Sequence, residues 1–472
     1  MKRRNVYIAL LVSLLCIVQV RSFAQHYLNL YNMELVPQRI FQNPAFIPDH
    51  KFYIGIPVLS GIQSSYALPF SYNDAITRGS DDSLTFNISD VLGKLEKNDQ
   101  LTFFSDVDIL SFGTRIDSGR FYLGFSIRER ISQQYRIPAN LGNFLWYGNA
   151  APQLFGKEVN IAPTVNVTAW DEYAASFSGY AMKGKLTWGA RLKYLSGRVN
   201  STTTKADLKV YTDTGTYQMY LKSDIAISTS GLSNREFAAD DRESSRIVPG
   251  LSNYFDQRVS SLIFPGNNGV GIDVGLSYQV NPHIGISASV LDIGFITWSK
   301  NTMTLVSRNP GTEVVFNGVS LNSFIDMLES YDSFGRKLKD SIVNLAKIDT
   351  VFGEKYTSWL PVRYNLGGSY LINEHHRFNI LFNGISWNRK FYPALSVSYN
   401  YQLGGILGLM VSYNIFNRQY TNIGAGLSVK AGPIQLFVMS DNIPGMISYK
   451  GSNNYSIQFG LNIVIKGKKA GG

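Results

Sequence analysis

The sequence is nearly free of cysteine: Cys16 is the only one among 472 residues. It lies in an apolar stretch close behind the basic N-terminus, so a chain that sheds this stretch has no thiol for disulfides or thiolate metal sites. Charge is scarce as well, at 17% of residues against the usual quarter. Proline numbers only 16, and no Pro-rich, Gly/Ser-rich or single-sign charged segment separates two composition regimes. The length alone would permit two or three soluble domains, yet nothing in the chain reads as a linker. Long hydrophobic runs are missing beyond the N-terminus, where none approaches the ~18–20 residues of a spanning helix. What the chain has in quantity is Gly (42), Tyr (28) and Phe (28), a composition suited to many strands and turns and poorly suited to helix bundles.

Lys2, Arg3 and Arg4 precede the apolar run 6–18 (VYIALLVSLLCIV), and Ser22-Phe23-Ala24 offers small residues before Gln25. Residues 1–24 therefore read as a secretory signal peptide, too short and too asymmetrically flanked for a lasting membrane helix. Cys16 lacks the small residues just before it that a lipoprotein signal would need. Removing Lys2, Arg3, Arg4 and Arg21 lowers the formal net charge from +10 to +6. Spread over about 450 residues without a Lys/Arg cluster, that is no nucleic-acid footprint.

The dominant pattern is strict alternation. In 121–131 (FYLGFSIRERI), Phe121, Leu123, Phe125, Ile127 and Ile131 oppose Tyr122, Gly124, Ser126, Arg128 and Arg130. The same rhythm returns at 185–196, 270–280, 405–415 and 456–465. Alternation states that the two faces of a strand meet different media, without stating which. The polar face here is rich in Gly and Ser with a few charges, as a narrow lumen requires, and lacks the dense Lys, Glu and Thr of a soluble sandwich. The strands also exceed the soluble average of about 5–6 residues and reach the ~10 of a tilted membrane strand.

Connections supply an independent test. Short turns at Asp117-Ser118-Gly119, Lys183-Gly184, Asn281-Pro282-His283, Asn373-Glu374-His375, Leu403-Gly404-Gly405 and Ala431-Gly432-Pro433 alternate with long segments near 67–100, 133–160, 229–268, 299–357 and 442–453. That is the rhythm of a membrane barrel with tight periplasmic turns, although the outer connections near 389–392 and 416–419 are also short. The expectation is an all-β, antiparallel up-and-down transmembrane barrel over 51–466. It has fourteen strands, or sixteen if the hairpin 205–212/216–228 joins the wall. Leu321, Phe324, Ile325 and Leu328, then Leu338, Ile342 and Leu345, follow helical spacing, which predicts a helical insertion over 320–348 in the longest outer loop. Trp298, Trp359 and Trp387 fall near strand ends, where an interfacial girdle would place them. Residues 467–472 form a tail.

Three short stretches resemble known barrels. Gln42-Asn43-Pro44-Ala45-Phe46-Ile47-Pro48, just ahead of the first strand, is similar to the N-terminal hatch of FadL-type fatty-acid transporters. It also resembles the start of PorV-like and PorP/SprF-like barrels of Bacteroidota. Ser289-Val290-Leu291-Asp292-Ile293-Gly294-Phe295 resembles a run in barrels of that phylum. The final strand, Gln458-Phe459-Gly460-Leu461-Asn462-Ile463-Val464-Ile465, resembles the C-terminal signal read by the barrel insertion machinery, through Gln458, Gly460, Ile463 and Ile465. It departs from that pattern in continuing past the strand. The resemblance implies the outer membrane of a Gram-negative bacterium, a hatch over 25–50 centred on Asn43, Pro44, Ala45 and Phe46, and passage or binding of a small hydrophobic compound. The alternative it implies is a non-transporting scaffold subunit of a secretion or gliding apparatus, with periplasmic or secretion-system proteins as partners.

Enzymatic chemistry finds no foothold. His26, His50, His283, His375 and His376 lack metal-binding spacing, no strand offers a His beside a nucleophile, and no phosphate loop or dinucleotide fingerprint occurs, so neither catalytic residue, metal nor cofactor is expected. Arg128, Arg130, Arg191, Lys193 and Asp273 fall on the polar parity. Charges at membrane depth are costly unless lumenal and paired, so these five are expected either to fill the lumen as salt bridges or to form a polar, anion-binding path. Outward-facing lipid is the remaining expected partner. Glu129 falls on the lipid-facing parity and is expected where its strand leaves the membrane on the outer side.

Overall fold

The structure, a computed structural model, describes residues 27–97, 99–231, 266–316, 348–416, 419–448 and 450–466. The expected signal peptide, nearly all of the expected helical insertion and the expected tail 467–472 lie outside the described residues. No described helix is long and apolar enough to cross a membrane.

Fourteen antiparallel strands close into one barrel. β1 is written in two segments, His50–Gly55 and Ile62–Ala67. It is followed by β2 (Gln100–Ile116), β3 (Phe121–Arg136), β4 (Thr164–Ala181) and β5 (Leu186–Thr212). Next come β6 (Asn268–Gln279), β7 (Ile284–Trp298), β8 (Tyr356–Trp359 and Val362–Leu371) and β9 (His376–Trp387). The wall ends with β10 (Lys390–Leu403), β11 (Leu407–Phe416), β12 (Gln419–Ala431), β13 (Ile434–Ser440) and β14 (Asn454–Lys466). Each strand pairs with its sequence neighbours, and β14 returns to β1 with Val464 opposite Tyr53 and Gln458 opposite Gln63. Closure leaves no edge, so every wall strand finds ladder partners without water, as a bilayer demands.

The six short turns all lie at one end. Asn281 and Asn373 build the same turn twice: Asn281 Oδ1 accepts from the N–H groups of His283 (2.9 Å) and Ile284 (2.8 Å), and Asn373 Oδ1 from those of His375 (2.9 Å) and His376 (3.0 Å). At Gly404 and Gly405 the chain needs φ of 55° and 73°, which glycine adopts without a steric penalty. At the opposite end the wall grows taller. β5 runs unbroken for 27 residues, and its upper half pairs with the return strand Met219–Ser230 above the level where β6 begins. The hairpin left open by the sequence is therefore an extension of the rim, and fourteen wall strands stand.

The outer surface carries the apolar parity. Leu192, Leu276, Ile286, Leu366, Val411 and Leu436 are all more than half exposed, and lie on six different strands and both sides of the barrel. An apolar belt of this extent, with Asn, Ser and Gln buried behind it, is the inverse of a soluble protein and is stable only against lipid. On β3, Leu123 faces out while Tyr122, Ser126, Arg128 and Arg130 are buried inside. Glu129 keeps the outward parity opposite Asp171 in register, yet it is only 7% exposed. Asp171 in turn pairs with Arg198, just above the Tyr173–Tyr194 aromatic pair.

Two of the three tryptophans depart from the girdle expected of them. Trp359 is 69% exposed on the outer face, but Trp298 and Trp387 are buried and point into the lumen. Position along a strand places a residue at the membrane interface, but the parity of the strand decides which side of the wall it takes.

Candidate functional site

Residues 27–49 run inside the barrel as a plug; His50, which the sequence grouped with the hatch, opens β1. The plug holds α1 (Leu28–Asn32), a 3-10 turn at Pro37–Phe41 with proline at its start, and the Asn43-Pro44 turn, where Asn43 Oδ1 accepts from Ala45 N–H at 2.9 Å. Three apolar patches of the plug meet three parts of the wall. Tyr27, Leu30, Met33 and Val36 pack on Met410, Phe437 and Met439; Leu28 and Tyr31 on Leu381, Ala394 and Phe416; Ile40 and Phe41 on Tyr53, Tyr122 and Val464.

Hydrogen bonds reach the rest. Arg115 donates to Pro48 O, Ser178 Oγ to Pro44 O (2.6 Å), Ser289 Oγ and Asn365 Nδ2 to Gln42 O (2.7 and 3.0 Å), and Asn400 Nδ2 to Asn32 O (2.7 Å). Asn43 Nδ2 donates to Leu276 O and Ala288 O, Gln435 Nε2 to Leu35 O, and Gln38 Nε2 to Asn462 Oδ1. Across β12 the plug lies against Gly424 and Gly426. With Tyr27 donating to Gln63 O on β1 and Arg191 of β5 stacked on Phe41, all fourteen strands touch the plug. Gly189 and Gly275 face each other in register because the Asn43-Pro44 backbone passes over them. A Cβ on Gly189 would lie 2.1 Å from Pro44 O, and one on Gly275 2.0 Å from Asn43 Oδ1. Ala45 is buried and Phe46 packs edge-on to Tyr31, so the four hatch residues sit in the lower half of the plug. Higher up, the carboxylate of Asp441, just past β13, accepts from Asn29 N–H at 2.9 Å; burial lifts its carboxyl to about 6 despite that bond.

Beside the plug lies a layer of ion pairs. Arg128 Nε meets Asp108 at 2.8 Å and Arg130 Nε meets Asp106 at 3.1 Å. Arg130 also reaches Glu172 (3.0 Å) and Asp292 (2.6 Å). Arg191 bridges Asp273 (2.9 Å) and Glu172 (3.0 Å), Lys193 joins Asp273 and Asp292 (2.6 Å each), and Arg363 closes on Asp292 (2.8 Å). Five cations thus face five carboxylates, all buried, on strands β2 to β8. The plug caps the layer: Phe41 lies between the guanidiniums of Arg128 (4.4 Å) and Arg191 (4.7 Å), and Gln42 accepts from Arg363.

The structure brings Arg128, Arg130, Arg191, Lys193 and Asp273 into this one cluster. Sequence reasoning missed Asp106, Asp108, Glu172, Asp292 and Arg363. The first three lie on the polar parity of their strands and could have been found by it. Asp292 could not, because a bulge turns it inward at φ 61°, where its N–H donates to Asp273 Oδ1 (2.6 Å). Of the insertion-signal residues, Gln458 is buried in the lumen, Gly460 lies under Ser60 O, and Ile463 and Ile465 are exposed outward. Among the described residues no group of His, Cys, Asp and Glu is placed to hold a metal ion.

Above the ion pairs, toward the long loops, the lumen turns aromatic. Phe104, Ile385, Trp387, Tyr392 and Ala67 cluster on one side, with Phe104 and Trp387 centroids 5.6 Å apart. Trp170, Leu195, Ile296, Trp298 and Leu360 cluster on the other, where Arg130 sits 5.0 Å over the Trp170 ring and Tyr356 stacks on Trp298.

Belt, closure and filled lumen together define a membrane-spanning β-barrel plugged by its own N-terminal segment. Within that class the chain belongs to the family of unknown function DUF5723, whose model matches residues 44–441. No curated protein sequence matches it. Among solved structures it is similar to the toluene transporter TodX of Pseudomonas putida, at 11% identity and a TM-score of 0.35 over 94% of each chain. It is also similar to the toluene transporter TbuX of Ralstonia pickettii (12%, 0.37, 92% of this chain and 95% of that). A Pseudomonas aeruginosa FadL homologue is similar at 9% identity, with a TM-score of 0.40, over 95% of this chain and 100% of that.

Proposed function

We propose that the protein is an outer-membrane barrel of a Gram-negative bacterium, exported by residues 1–24, that binds a small hydrophobic compound and passes it when the plug yields. The observation that supports this is the aromatic layer. At the plug level the apolar wall residues are covered by the plug's own Tyr27, Leu28 and Phe41, with Asn and Ser between them. Phe104, Trp387 and Tyr392 give the outer half of the lumen the apolar, aromatic lining typical of small-molecule sites. The ion-pair layer and plug below it then form the closed gate. Hydrophobic compounds of this kind are also what the names of TodX and TbuX describe.

A second reading, a non-transporting scaffold subunit, is favoured by the plug's contact with every strand. One experiment divides the two. The purified barrel should bind a fluorescent naphthylamine probe saturably, at least tenfold more weakly in Trp387→Ala. Vesicles carrying a variant without residues 27–47 should become leaky to that probe. Absence of binding and of leak, together with recovery of periplasmic proteins on the intact barrel, would replace the first reading with the second.

A further inference from the structure

At the short-turn mouth a cleft of about 210 Å³ remains between plug and wall, several times the ~30 Å³ that one water occupies. Arg39 and Phe46 line it from the plug, and Thr187, Ser287, Ser369 and Arg377 from the wall. Its charges do not balance. Among the described residues Glu34 is the one carboxylate on the lining, and it is already engaged by Arg377 and by Gln402 Nε2, which donates to it at 3.3 Å. Arg39 approaches the same carboxylate only to 3.7 Å, beyond hydrogen-bond length. The Arg39 guanidinium carbon lies over the Phe46 ring, 3.9 Å from its centroid, and the buried Nε has no hydrogen-bond partner. A guanidinium is a rigid fork of five donors, and leaving one of them buried and unmet is unfavourable. Phe46 thus holds the guanidinium at the wall of a polar cleft that both residues line. What a guanidinium in such a cleft fits is a planar anion that accepts parallel hydrogen bonds.

The geometry points to a carboxylate-binding site in this cleft, with Arg39 as the principal donor and the wall hydroxyls of Thr187, Ser287 and Ser369 around the rest of the ligand. The carboxylate belongs either to a free small acid or to the C-terminal residue of a peptide, entering from the side of the short turns. The site is separate from the aromatic layer and does not depend on what that layer binds. A ligand held here touches plug and wall together, so binding also secures the plug.

Calorimetric titration of the full-length protein in detergent with citrate, N-acetyl-diglycine and N-acetyl-diglycine amide tests this. Citrate or the peptide acid should bind, and the amide should bind at least tenfold more weakly than the acid. Preference for citrate identifies a free acid, and preference for the peptide acid a chain end. Arg39→Gln should lose tenfold or more and Arg39→Lys, which keeps the charge but not the fork, should fall between. Thr187→Val, on the wall, should weaken binding without touching the plug, and Arg308→Gln, on the distant rim, should leave it unchanged. The proposal is overturned if neither acid binds, if the amide equals the acid, or if Arg39→Gln binds like the parent protein.

Discussion

Asp292→Asn is the sharpest perturbation of the ion-pair layer, because this one carboxylate meets Arg130, Lys193 and Arg363 at 2.6–2.8 Å. Neutralising it leaves five buried cations against four carboxylates. Removing one partner from a buried pair costs about 3–5 kcal/mol, since the charges left behind have already lost their water. Asparagine keeps one acceptor oxygen, which argues for the lower end of that range. It also tolerates the left-handed backbone at φ 61°, so conformational strain does not enter the difference. At 3 kcal/mol the folded population should shift more than a hundredfold in urea titrations followed by tryptophan fluorescence. Arg363→Gln in the same chain restores the balance, so the double variant should recover about 1–3 kcal/mol relative to the sum of the singles. Asp349→Asn breaks the exposed Arg308–Asp349 pair on the rim and should leave the midpoint in place. A change within about 0.5 kcal/mol for Asp292→Asn, or strict additivity in the cycle, would refute the reasoning that the layer acts as one electrostatic unit.

Gly189→Ala drives a methyl group into the Pro44 carbonyl and should cost about 1–3 kcal/mol of plug docking, read as faster proteolysis within 27–49 while heat-modifiable migration of the barrel persists. Asp441 should make docking pH-dependent. Its carboxyl is raised to about 6 when buried against the plug, so the docked state is favoured fully below about pH 4 and loses that support as pH rises through 6, by ~2–3 kcal/mol. Plug proteolysis should therefore quicken between about pH 4 and 6 in the parent protein, level off above that, and lose this dependence in Asp441→Asn. Leu366→Arg puts a charge on the outward apolar belt and should destabilise the barrel in vesicles by up to ~2–4 kcal/mol, whereas a position that faces water would tolerate it.

The division of labour between sequence and fold can be followed strand by strand. The period of two is local and survives any register, so Leu123 outside and Arg128 inside were readable without coordinates. The Asn281 and Asn373 turns were readable too, because an Asx turn is made within three residues. The barrel itself follows from such local facts combined with the rhythm of short and long connections. Closure is not local. Which carboxylate faces which arginine depends on register around the wall and on bulges, and one bulge moved Asp292 to the lumenal side, where it holds three cations that no spacing rule connects to it. Parity inside the closed wall likewise sent Trp298 and Trp387 to the lumen, making an aromatic layer out of residues whose position along the strand suggested an interface. The plug depended on tertiary structure most of all. Asn43-Pro44 marked a turn before the first strand, but only the pairing of Gly189 with Gly275 across β5 and β6 shows where that turn is seated. The sequence determined which face of each strand meets lipid, since hydrophobicity is a property of the residue. Only the closed barrel decided what the other face meets, since a lumen is made by strands that are distant in the chain.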